Sequence, residues 1–489
     1  MPKSLALVCA ALVIAGMPFW FAGAGLEAYF TTDDTMNLYG YWSKPWRDLL
    51  IANLTYYSPF YRPLGGLFYR SMFAAFGFHP FPFRVACFAV MLLNLGLLYA
   101  TARLLAGSRE AGLLAALIGC YHAGHEDLYY NTGAIYDLLC FSFYVGALLL
   151  YIRTRRDGRR LRWPGIMLLV ALYICALNAK EMAVTLPVAI LIYEWIYHRP
   201  EFTKRNLLRW IVYDARVACL LAALTVPYLY GKLSSASVFS RVADYGLHIT
   251  LGRYLGAYQQ YLDWMFYQRT RWFTLSAALL LWAAMLSIAA LSRRKALWFS
   301  FLFVLFSVLP VMFIAPRGSI FVLYVPFLGW SLYGAALLIL IRNSLGAGLA
   351  RLAPGLAGML AGTQPVMSGM TFTIAAASLF LVHQAHSFPV PQDSLIRSTT
   401  EQIHTMLPQL PANSRILFLD DPFSTDNWIP LVVIRLSYGD GRIQVDRVKR
   451  MKHRPDLSQI RRYNVVLTYQ DKRLVRIEPA QLGRGSEPR

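Results

Sequence analysis

Two adjacent carboxylates, Asp33 and Asp34, follow the first long apolar run of the chain in the stretch YFTTDDTMNL. Neighbouring carboxylates raise each other's proton affinity, so one could act as a general base while the other orients it. A structural explanation is also available, because an aspartate followed by a threonine can begin a helix. The pair alone therefore indicates either a catalytic base or a helix start.

A second polar segment, YHAGHEDLYYNTGAIYD, carries His122, His125, Asp127 and Asp137. Asp137 falls inside the next apolar run, where an acid is costly and usually lines a cavity or pairs with a base. The histidines and Asp127 could together bind a metal ion, but histidines one helical turn apart are common without a metal. We therefore predict candidate site residues in this segment and no metal.

A third segment, NAKEMAVTLP, places Lys180 and Glu181 between two apolar runs with almost no loop. One explanation is a local ion pair that ends two helices. The other is that Lys180 binds an anion at the membrane surface, as lysines commonly do for phosphate. The segment itself does not decide between them.

Apolar runs dominate the rest of the chain, which has 489 residues, 57% of them hydrophobic and 15% charged. About eleven runs approach the roughly 20 residues that cross a bilayer. They are 5–26, 83–105, 109–122, 133–152, 164–179, 182–197, 210–231, 272–291, 297–315, 319–341 and 371–386. The first is longer than the roughly 7–15 residues of a signal-peptide core, which favours a retained helix over a cleaved signal. We predict an all-α polytopic membrane protein.

Arginine-rich loops alternate along this pattern and indicate its orientation. They are RTRRDGRRLR, HRPEFTKRNLLR, SRRK and IRN. All lie on one side if the N-terminus is cytoplasmic, as the positive-inside rule requires. The net charge of +21 then needs no nucleic acid partner, and an odd number of spans makes the C-terminus extracytoplasmic.

Several bases lie on the predicted outer side, against this asymmetry. They are Arg62, Arg70, Arg84, Lys180 and Arg317. Such bases need an anionic partner, either acids of the protein or a lipid phosphate. They could share one partner only if the helix bundle brings their loops around one cavity.

Two regions lie outside the apolar runs. Residues 27–82 form a long first external loop, whose segments WRDLLIANLTYY and PLGGLFYRSMFAAFGF suit helices in the membrane interface. Residues 389–489 change in composition and predict a small α/β domain: DSLIRSTTEQIHTMLPQL as a helix, and SRILFLDD, WIPLVVIRLSY, RIQVDRV and YNVVLTY as strands. The six cysteines lie in or beside apolar runs, so neither a disulfide framework nor a zinc site is predicted.

Five motifs occur in the same order in a known family: YFTTDDTMNL, YRPLGGLFYRSMFAAFGFHPFPFR, HAGHEDLYYNTGAIYDLL, AKEMAVTLPVAILIYEW and YVPFLGW. Over roughly residues 1–340 the chain resembles the transmembrane O-mannosyltransferase-like proteins, which are polyprenyl-phosphate-sugar-dependent enzymes of the GT-C glycosyltransferase superfamily. Many members continue into tetratricopeptide repeats, whereas this chain continues into the α/β segment. We therefore expect a GT-C-like catalytic domain over 1–388 and a small extracytoplasmic domain over 389–489.

The resemblance implies roles for particular residues. One of Asp33 and Asp34 would be the general base toward an acceptor hydroxyl, while Arg62, Lys180 and Arg317 would bind the donor phosphate. Arg317 is the weakest of these, because the family's basic residue shortly before YVPFLGW is Phe321 here. The further candidate site residues are His122, His125, Asp127, Asp137, Glu181 and Tyr324.

The resemblance thus implies an inverting hexosyltransferase of the bacterial plasma membrane that needs no cofactor. Its partners would be the bilayer, a polyprenyl-phosphate-linked sugar and an acceptor that is a protein, a glycan or a lipid. Two alternatives use the same charged residues: a lipid or polysaccharide flippase, and a non-catalytic scaffold whose α/β domain binds a partner. Against transport, the chain has no inverted repeat and no pair of spans broken by glycine or proline.

Overall fold

The apolar runs fold into helices in the computed structural model, which describes residues 3–199, 203–234, 246–268, 272–316, 320–352, 364–387 and 394–478. The α-helices are α1 (Lys3–Ala22), α2 (Thr32–Tyr41), α3 (Trp46–Leu54), α4 (Pro63–Phe76), α5 (Pro80–Ala106), α6 (Arg109–Gly119), α7 (Glu126–Tyr130), α8 (Ile135–Arg156), α9 (Trp163–Ala179), α10 (Leu186–Tyr197), α11 (Lys204–Tyr213), α12 (Arg216–Ser234), α13 (Leu251–Met265), α14 (Leu275–Ser292), α15 (Lys295–Ser307), α16 (Leu309–Met312), α17 (Tyr324–Leu352), α18 (Gln364–His386), α19 (Ser394–Met406), α20 (Ile429–Tyr438) and α21 (Leu457–Ile460). Short 3-10 helices near the polar segments are Ala123–His125, Thr132–Ala134, Glu181–Thr185 and Phe321–Leu323.

Eight helical stretches within the described ranges are long and apolar enough to cross a membrane. They are Leu5–Leu26, Pro80–Ala106, Thr132–Arg156, Arg216–Leu233, Leu275–Ser292, Lys295–Met312, Phe321–Leu352 and Gln364–His386. The other three predicted runs form the shorter helices α6, α9 and α10, of 11, 17 and 12 residues. At about 1.5 Å per residue, α6 is about 16 Å long, against a bilayer core of about 30 Å. These runs are shortened where the polar segments with His122 and Lys180 interrupt them.

The first long loop, residues 27–82, contains the helices predicted there, α3 and α4, together with α2. Helix α4 begins with Pro63, whose fixed φ suits the first helical position, and it ends at Gly77 with φ 61°. Close packing explains Gly65, since a Cβ there would come within 2.0 Å of the ring of Tyr136. The loop is therefore packed against the start of α8.

The C-terminal segment folds as a four-stranded sheet with helices. The strands are β1 (Arg415–Phe418), β2 (Gln444–Arg447), β3 (Val465–Gln470) and β4 (Arg473–Arg476), in the order β2-β1-β3-β4. Strand β1 is parallel to β2 and β3, with Ile416 opposite both Val445 and Val465, while β3 and β4 form an antiparallel hairpin. The predicted helix is α19, and three of the four predicted strands are present.

The prediction of a strand at WIPLVVIRLSY was wrong, because this segment is helix α20. Short apolar runs do not distinguish a buried strand from a buried helix by periodicity. Two signals favoured the helix: Pro430 lies in its first turn, and Gly439 follows it with φ 63°. Helix α20 provides the crossover between the parallel strands β1 and β2.

Helix α20 also joins the C-terminal unit to the first long loop. Its residues Val432, Val433 and Leu436 belong to the same buried core as Leu38 and Trp42. Arg435 Nη1 donates a hydrogen bond of 2.5 Å to the hydroxyl of Tyr39. The C-terminal unit is thus packed directly on α2, the helix that carries the aspartate pair.

Candidate active site

Helix α2 begins with a capping box that fixes the orientation of the two aspartates. The hydroxyl of Thr31 accepts from the Asp34 N–H, and Asp34 Oδ2 accepts from the Thr31 N–H at 2.8 Å. Acids in a first helical turn are also favoured by the helix dipole. Consecutive helical residues point about 100° apart, so Asp33 and Asp34 face different surroundings.

Asp34 is fully buried. Its Oδ2 accepts from Arg84 Nη2 at 2.8 Å, and its Oδ1 accepts from both the N–H and the hydroxyl of Thr132 at 2.6 Å. Arg84 is buried as well and donates to the carbonyl of Tyr29. Asp34 therefore ties α2 to α5 and to the turn before α8, and its oxygens are occupied by protein donors.

Asp33 is exposed to solvent. One helical turn later, the Asn37 side chain donates to the carbonyl of Asp33 at 2.9 Å and accepts from the Tyr136 hydroxyl at 2.9 Å. Neither Asn37 nor Tyr136 was predicted as a site residue. The spacing of Asp33 and Asn37 on one helix was the signal that could have suggested Asn37.

Arg62 lies against the same tyrosine. Its guanidinium carbon is 5.1 Å from the ring centre of Tyr136 and 4.7 Å from that of Tyr61. Its Nη2 donates to Glu181 Oε2 at 2.8 Å and its Nε donates to Oε1 at 3.4 Å. Arg62 has φ 39° immediately before Pro63, a left-handed conformation that is strained for an arginine. The loop before α4 is thus held so that Arg62 reaches Glu181.

Burial would raise the pKa of Glu181, but the adjacent Arg62 outweighs it and lowers this pKa to about 2. Glu181 is therefore a carboxylate at neutral pH. The pair is partly open to solvent, with 18% of the Arg62 side chain and 24% of the Glu181 side chain exposed.

Lys180 pairs with Asp137 and not with its neighbour Glu181. Its Nζ lies 2.5 Å from both carboxylate oxygens of Asp137, and both residues are buried. Lys180 occupies the junction between α9 and the following 3-10 helix, while Asp137 is in the first turn of α8. The Nζ also lies 4.8 Å from the ring centre of Phe321. Asp137, the acid inside the apolar run, thus has a base as its partner. This agrees with the high energetic cost of an unpaired acid inside a membrane.

The remaining predicted site residues lie elsewhere. His122 accepts from the Gly124 N–H at Nδ1 and contacts the Met265 carbonyl through Nε2 at 3.0 Å, and burial lowers its pKa to about 4. Both ring nitrogens of this neutral histidine therefore have protein partners. His125 and Tyr324 are buried with ring centres 5.9 Å apart, and Asp127 is half-buried in α7. Within the described ranges, no group of three or more His, Cys, Asp or Glu side chains could hold a metal ion.

Arg317 lies outside the described residues. Of the other bases predicted on the outer side, Arg62 and Lys180 come together next to α2. Arg84 is the ion-pair partner of Asp34. Arg70 contacts the carbonyl of Lys44 and the ring of Trp46 instead. The helix bundle therefore brings two of the predicted bases to one site beside Tyr136, whose hydroxyl bonds to Asn37 on the helix of Asp33.

Comparisons with known proteins bear on the fold of the chain. Residues 59–230 match the family model described as dolichyl-phosphate-mannose-protein mannosyltransferase. The fold resembles the crystal structure of ArnT from Cupriavidus metallidurans bound to undecaprenyl phosphate, with a TM-score of 0.52, 12% sequence identity, and coverage of 97% of this chain and 98% of that one. No curated protein sequence matches the chain.

The resemblance predicted from the sequence is confirmed. The fold is a GT-C-like helix bundle with a small C-terminal α/β unit. Together, the family match and the fold support a membrane glycosyltransferase.

Proposed function

We propose that the chain transfers a sugar from a polyprenyl-phosphate donor to an acceptor hydroxyl on the extracytoplasmic side of the membrane, with Asp33 as general base. One observation carries this proposal: Asp33 is an exposed carboxylate on the helix face that leads through Asn37 and Tyr136 to Arg62. A base and a cationic group are thus available on the same side of α2.

Asp33 would take the proton of the acceptor hydroxyl as its oxygen attacks C1 of the sugar. The bond between C1 and the phosphate oxygen breaks, and polyprenyl phosphate leaves with the bonding electrons. Attack opposite the leaving group inverts the configuration at C1. Exposure keeps Asp33 accessible to the hydroxyl, whereas the oxygens of Asp34 are already engaged by Arg84 and Thr132.

Arg62 and Lys180 would bind the donor phosphate and stabilise the charge that it gains as it leaves. A guanidinium has several N–H donors, and Glu181 occupies the Nε and Nη2 side of Arg62. The Nη1 edge is then the part of Arg62 that would meet a phosphate. Arg317 remains a proposed third ligand.

The names of the similar proteins support this donor class. The matched family is described as using dolichyl-phosphate-mannose, and the similar structure is described as bound to undecaprenyl phosphate. Both carriers are polyprenyl phosphates with a tail that remains in the bilayer. We propose a hexosyl donor of this kind, a cytoplasmic N-terminus and a C-terminal unit on the outer face of the plasma membrane.

The test is release of polyprenyl phosphate from a lipid-linked sugar by the purified protein in detergent, measured for wild type and for Asp33→Asn. Asparagine keeps the shape of the side chain but not its basicity, so release and sugar transfer should fall by about 10²–10⁴-fold. The matched control is Asp48→Asn, which alters an exposed acid in the first turn of α3 and should have wild-type activity.

Other outcomes separate the alternatives. Wild-type activity in Asp33→Asn would remove Asp33 as the base. A wild-type protein that moves the intact lipid-linked sugar across a vesicle membrane without releasing polyprenyl phosphate would be a flippase. One that does neither would fit a scaffold. Asp34→Asn should lower the thermal unfolding midpoint instead, because it leaves Arg84 buried without its partner.

A further inference from the structure

A cleft of about 510 Å³ lies between α2 and the C-terminal unit. Helix α2 contributes Met36 and Gly40 to its wall, and the loop before α20 contributes Ser424, Asp426 and Trp428. The volume is within the range of small-molecule sites, which is about 300–1,000 Å³. Neither the proposed base nor the proposed phosphate ligands line this cleft.

The position of the cleft on α2 relates it to the site described above. At about 100° per residue, Thr32, Met36 and Gly40 share the face toward the cleft, while the opposite face is buried. Asp33 and Asn37 lie between these two faces, and Asn37 bonds to Tyr136 beside Arg62. Asp33 is therefore at the boundary between the cleft and the proposed donor site. A general base between donor and acceptor would have this position.

The loop before α20, which forms the other wall of the cleft, is held in place by the buried side chain of Arg447. Arg447 is buried, pairs with buried Asp421 at 2.7 Å, and donates to the carbonyls of Phe423, Ser424 and Thr425 at 2.9–3.1 Å. A buried arginine that is fully engaged with a surface loop keeps that loop in one conformation. The wall is thus preformed, as in most small-molecule sites.

The lining indicates what the cleft could bind. Its described lining contains the carboxylate of Asp426 and no lysine or arginine, while Arg450 and Arg435 contact the lining residues Trp428 and Tyr39. Trp428 is 59% exposed, and Arg450 lies 4.1 Å from its ring centre. An aromatic surface beside Ser424 and Asp426 suits a ligand with apolar faces and hydroxyl edges. A pyranose ring has both.

The same wall disfavours an extended peptide. Peptides that bind in extended form usually pair with free backbone groups of the protein. Here Arg447 occupies carbonyls of the loop, and Lys449 donates to the carbonyl of Phe423. We propose that this cleft binds the acceptor and that the acceptor is a glycan. This inference rests on the proposed transferase function.

The test is photo-crosslinking in the cells that naturally produce the protein, with p-benzoylphenylalanine in place of Met36, which is exposed by 60% in the cleft wall. The expected result is a carbohydrate-containing adduct, identified by mass spectrometry after purification. The control position is Leu54, which is 79% exposed at the end of α3 in the same external loop and should give no such adduct.

A second change asks whether the adduct depends on the cleft. A Cβ at Gly40 would meet no atom within 4 Å, so Gly40→Leu should fold normally, fill the cleft and abolish the adduct at Met36. Gly252→Leu in α13 is the matched control, since Gly252 has equally free space and lies away from the cleft; it should leave the adduct intact.

A protein or lipid adduct at Met36, the absence of any adduct, or a carbohydrate adduct that persists in Gly40→Leu would overturn the glycan assignment. Release of polyprenyl phosphate by the wild-type protein is a separate measurement. If release is absent while the carbohydrate adduct forms as expected, the transferase proposal fails and the glycan site stands.

Discussion

Helix α8 has an ion-paired cluster at each end, and the two clusters differ in how they use their charges. Asp137 in the first turn pairs with Lys180, and Arg155 in the last turn pairs with Glu194. A rise of about 1.5 Å per residue separates the two positions by about 27 Å, nearly the thickness of a bilayer core. Each cluster contains two bases and two acids: Arg62, Lys180, Asp137 and Glu181 at the first end, and Arg155, Arg160, Glu194 and Asp214 at the second.

At the end of α8 the Arg155–Glu194 pair is closed by protein groups, whereas the side chains of Asp214 and Arg160 are 22% and 45% exposed. Glu194 is fully buried and accepts from Arg155 at 2.7 and 2.9 Å and from the Tyr151 hydroxyl at 2.7 Å. Arg155 also reaches Asp214 at 3.2 Å. This network joins α8, α10 and the junction of α11 with α12.

The cluster at the start of α8 is partly open. Arg62 and Glu181 retain some exposure, Arg62 has a strained backbone, and the exposed Asp33 lies nearby on α2. Strained conformations persist where the surroundings impose them, and they are frequent at functional sites. The comparison shows that buried charge alone does not identify a site. Each cluster has one buried pair and one partly exposed pair, so the strained backbone of Arg62 and the exposed Asp33 are what distinguish the candidate site from a structural network.

The largest effect should come from Glu194→Gln. It removes one charge of a closed buried pair, which costs about 3–5 kcal/mol, so the thermal unfolding midpoint in detergent should fall strongly. Polyprenyl phosphate release per folded molecule should persist. Glu181→Gln at the open cluster should show the reverse, with a smaller shift of the midpoint and a marked loss of release. If Glu194→Gln unfolds normally but is inactive, the division between the clusters is wrong.

A smaller effect tests whether Lys180 has a role beyond its ion pair. Lys180→Met alone leaves Asp137 buried without a base. A loss of donor affinity in this variant could then not be separated from a loss of stability. Lys180→Met combined with Asp137→Asn removes both charges and should restore the unfolding midpoint. Donor affinity should still fall about tenfold or more, since a hydrogen bond to a charged group contributes about 1.5–3 kcal/mol.

The matched control for this prediction is Lys295→Ala, an exposed lysine of the SRRK loop, which should bind the donor as the wild type does. Wild-type donor affinity in the double variant would mean that Lys180 only neutralises Asp137. Affinity would be measured by binding of the lipid-linked sugar to the detergent-solubilised protein.

Much of the fold could be predicted from the sequence because long apolar runs, proline starts and glycine ends determine helices locally. The first-loop helices and most of the C-terminal strands follow from such signals. The strand predicted at α20 failed because a short apolar run lacks a decisive period, although Pro430 and Gly439 favoured a helix. The length of α6, α9 and α10 depends on tertiary packing around the polar segments.

Residues of the candidate site could be predicted, but their partners could not. Lys180 was expected to pair with Glu181 or with an anion, yet it pairs with Asp137, because helix packing brings α8 to the end of α9. The difference between Asp33 and Asp34 depends on where α2 begins. A capping box at Thr31 turns Asp34 into the core and leaves Asp33 exposed. A start one residue earlier would have placed Asp33 at the position that Asp34 now occupies.

The smallest effect concerns the Arg62–Glu181 pair and its dependence on pH. The pKa of Glu181 is lowered from 4.5 to about 2 because Arg62 outweighs the effect of burial. A group with a lowered folded-state pKa stabilises the protein fully above its ordinary pKa and loses that contribution as the pH falls through the folded value. The pair should therefore contribute above about pH 4.5 and contribute progressively less toward about pH 2.

The measurement is the difference in unfolding midpoint between wild type and Arg62→Gln across this range. Without Arg62, the burial of Glu181 favours its protonated form. Lowering the pH should therefore raise the unfolding midpoint of the variant, while it lowers that of the wild type. The difference in unfolding midpoint between wild type and Arg62→Gln should shrink as the pH falls. Arg397→Gln is the control, because the Arg397–Glu401 pair is exposed and should contribute little at any pH. A difference that stays constant with pH would mean that Arg62 acts through its packing on Tyr61 and Tyr136 and not through its charge.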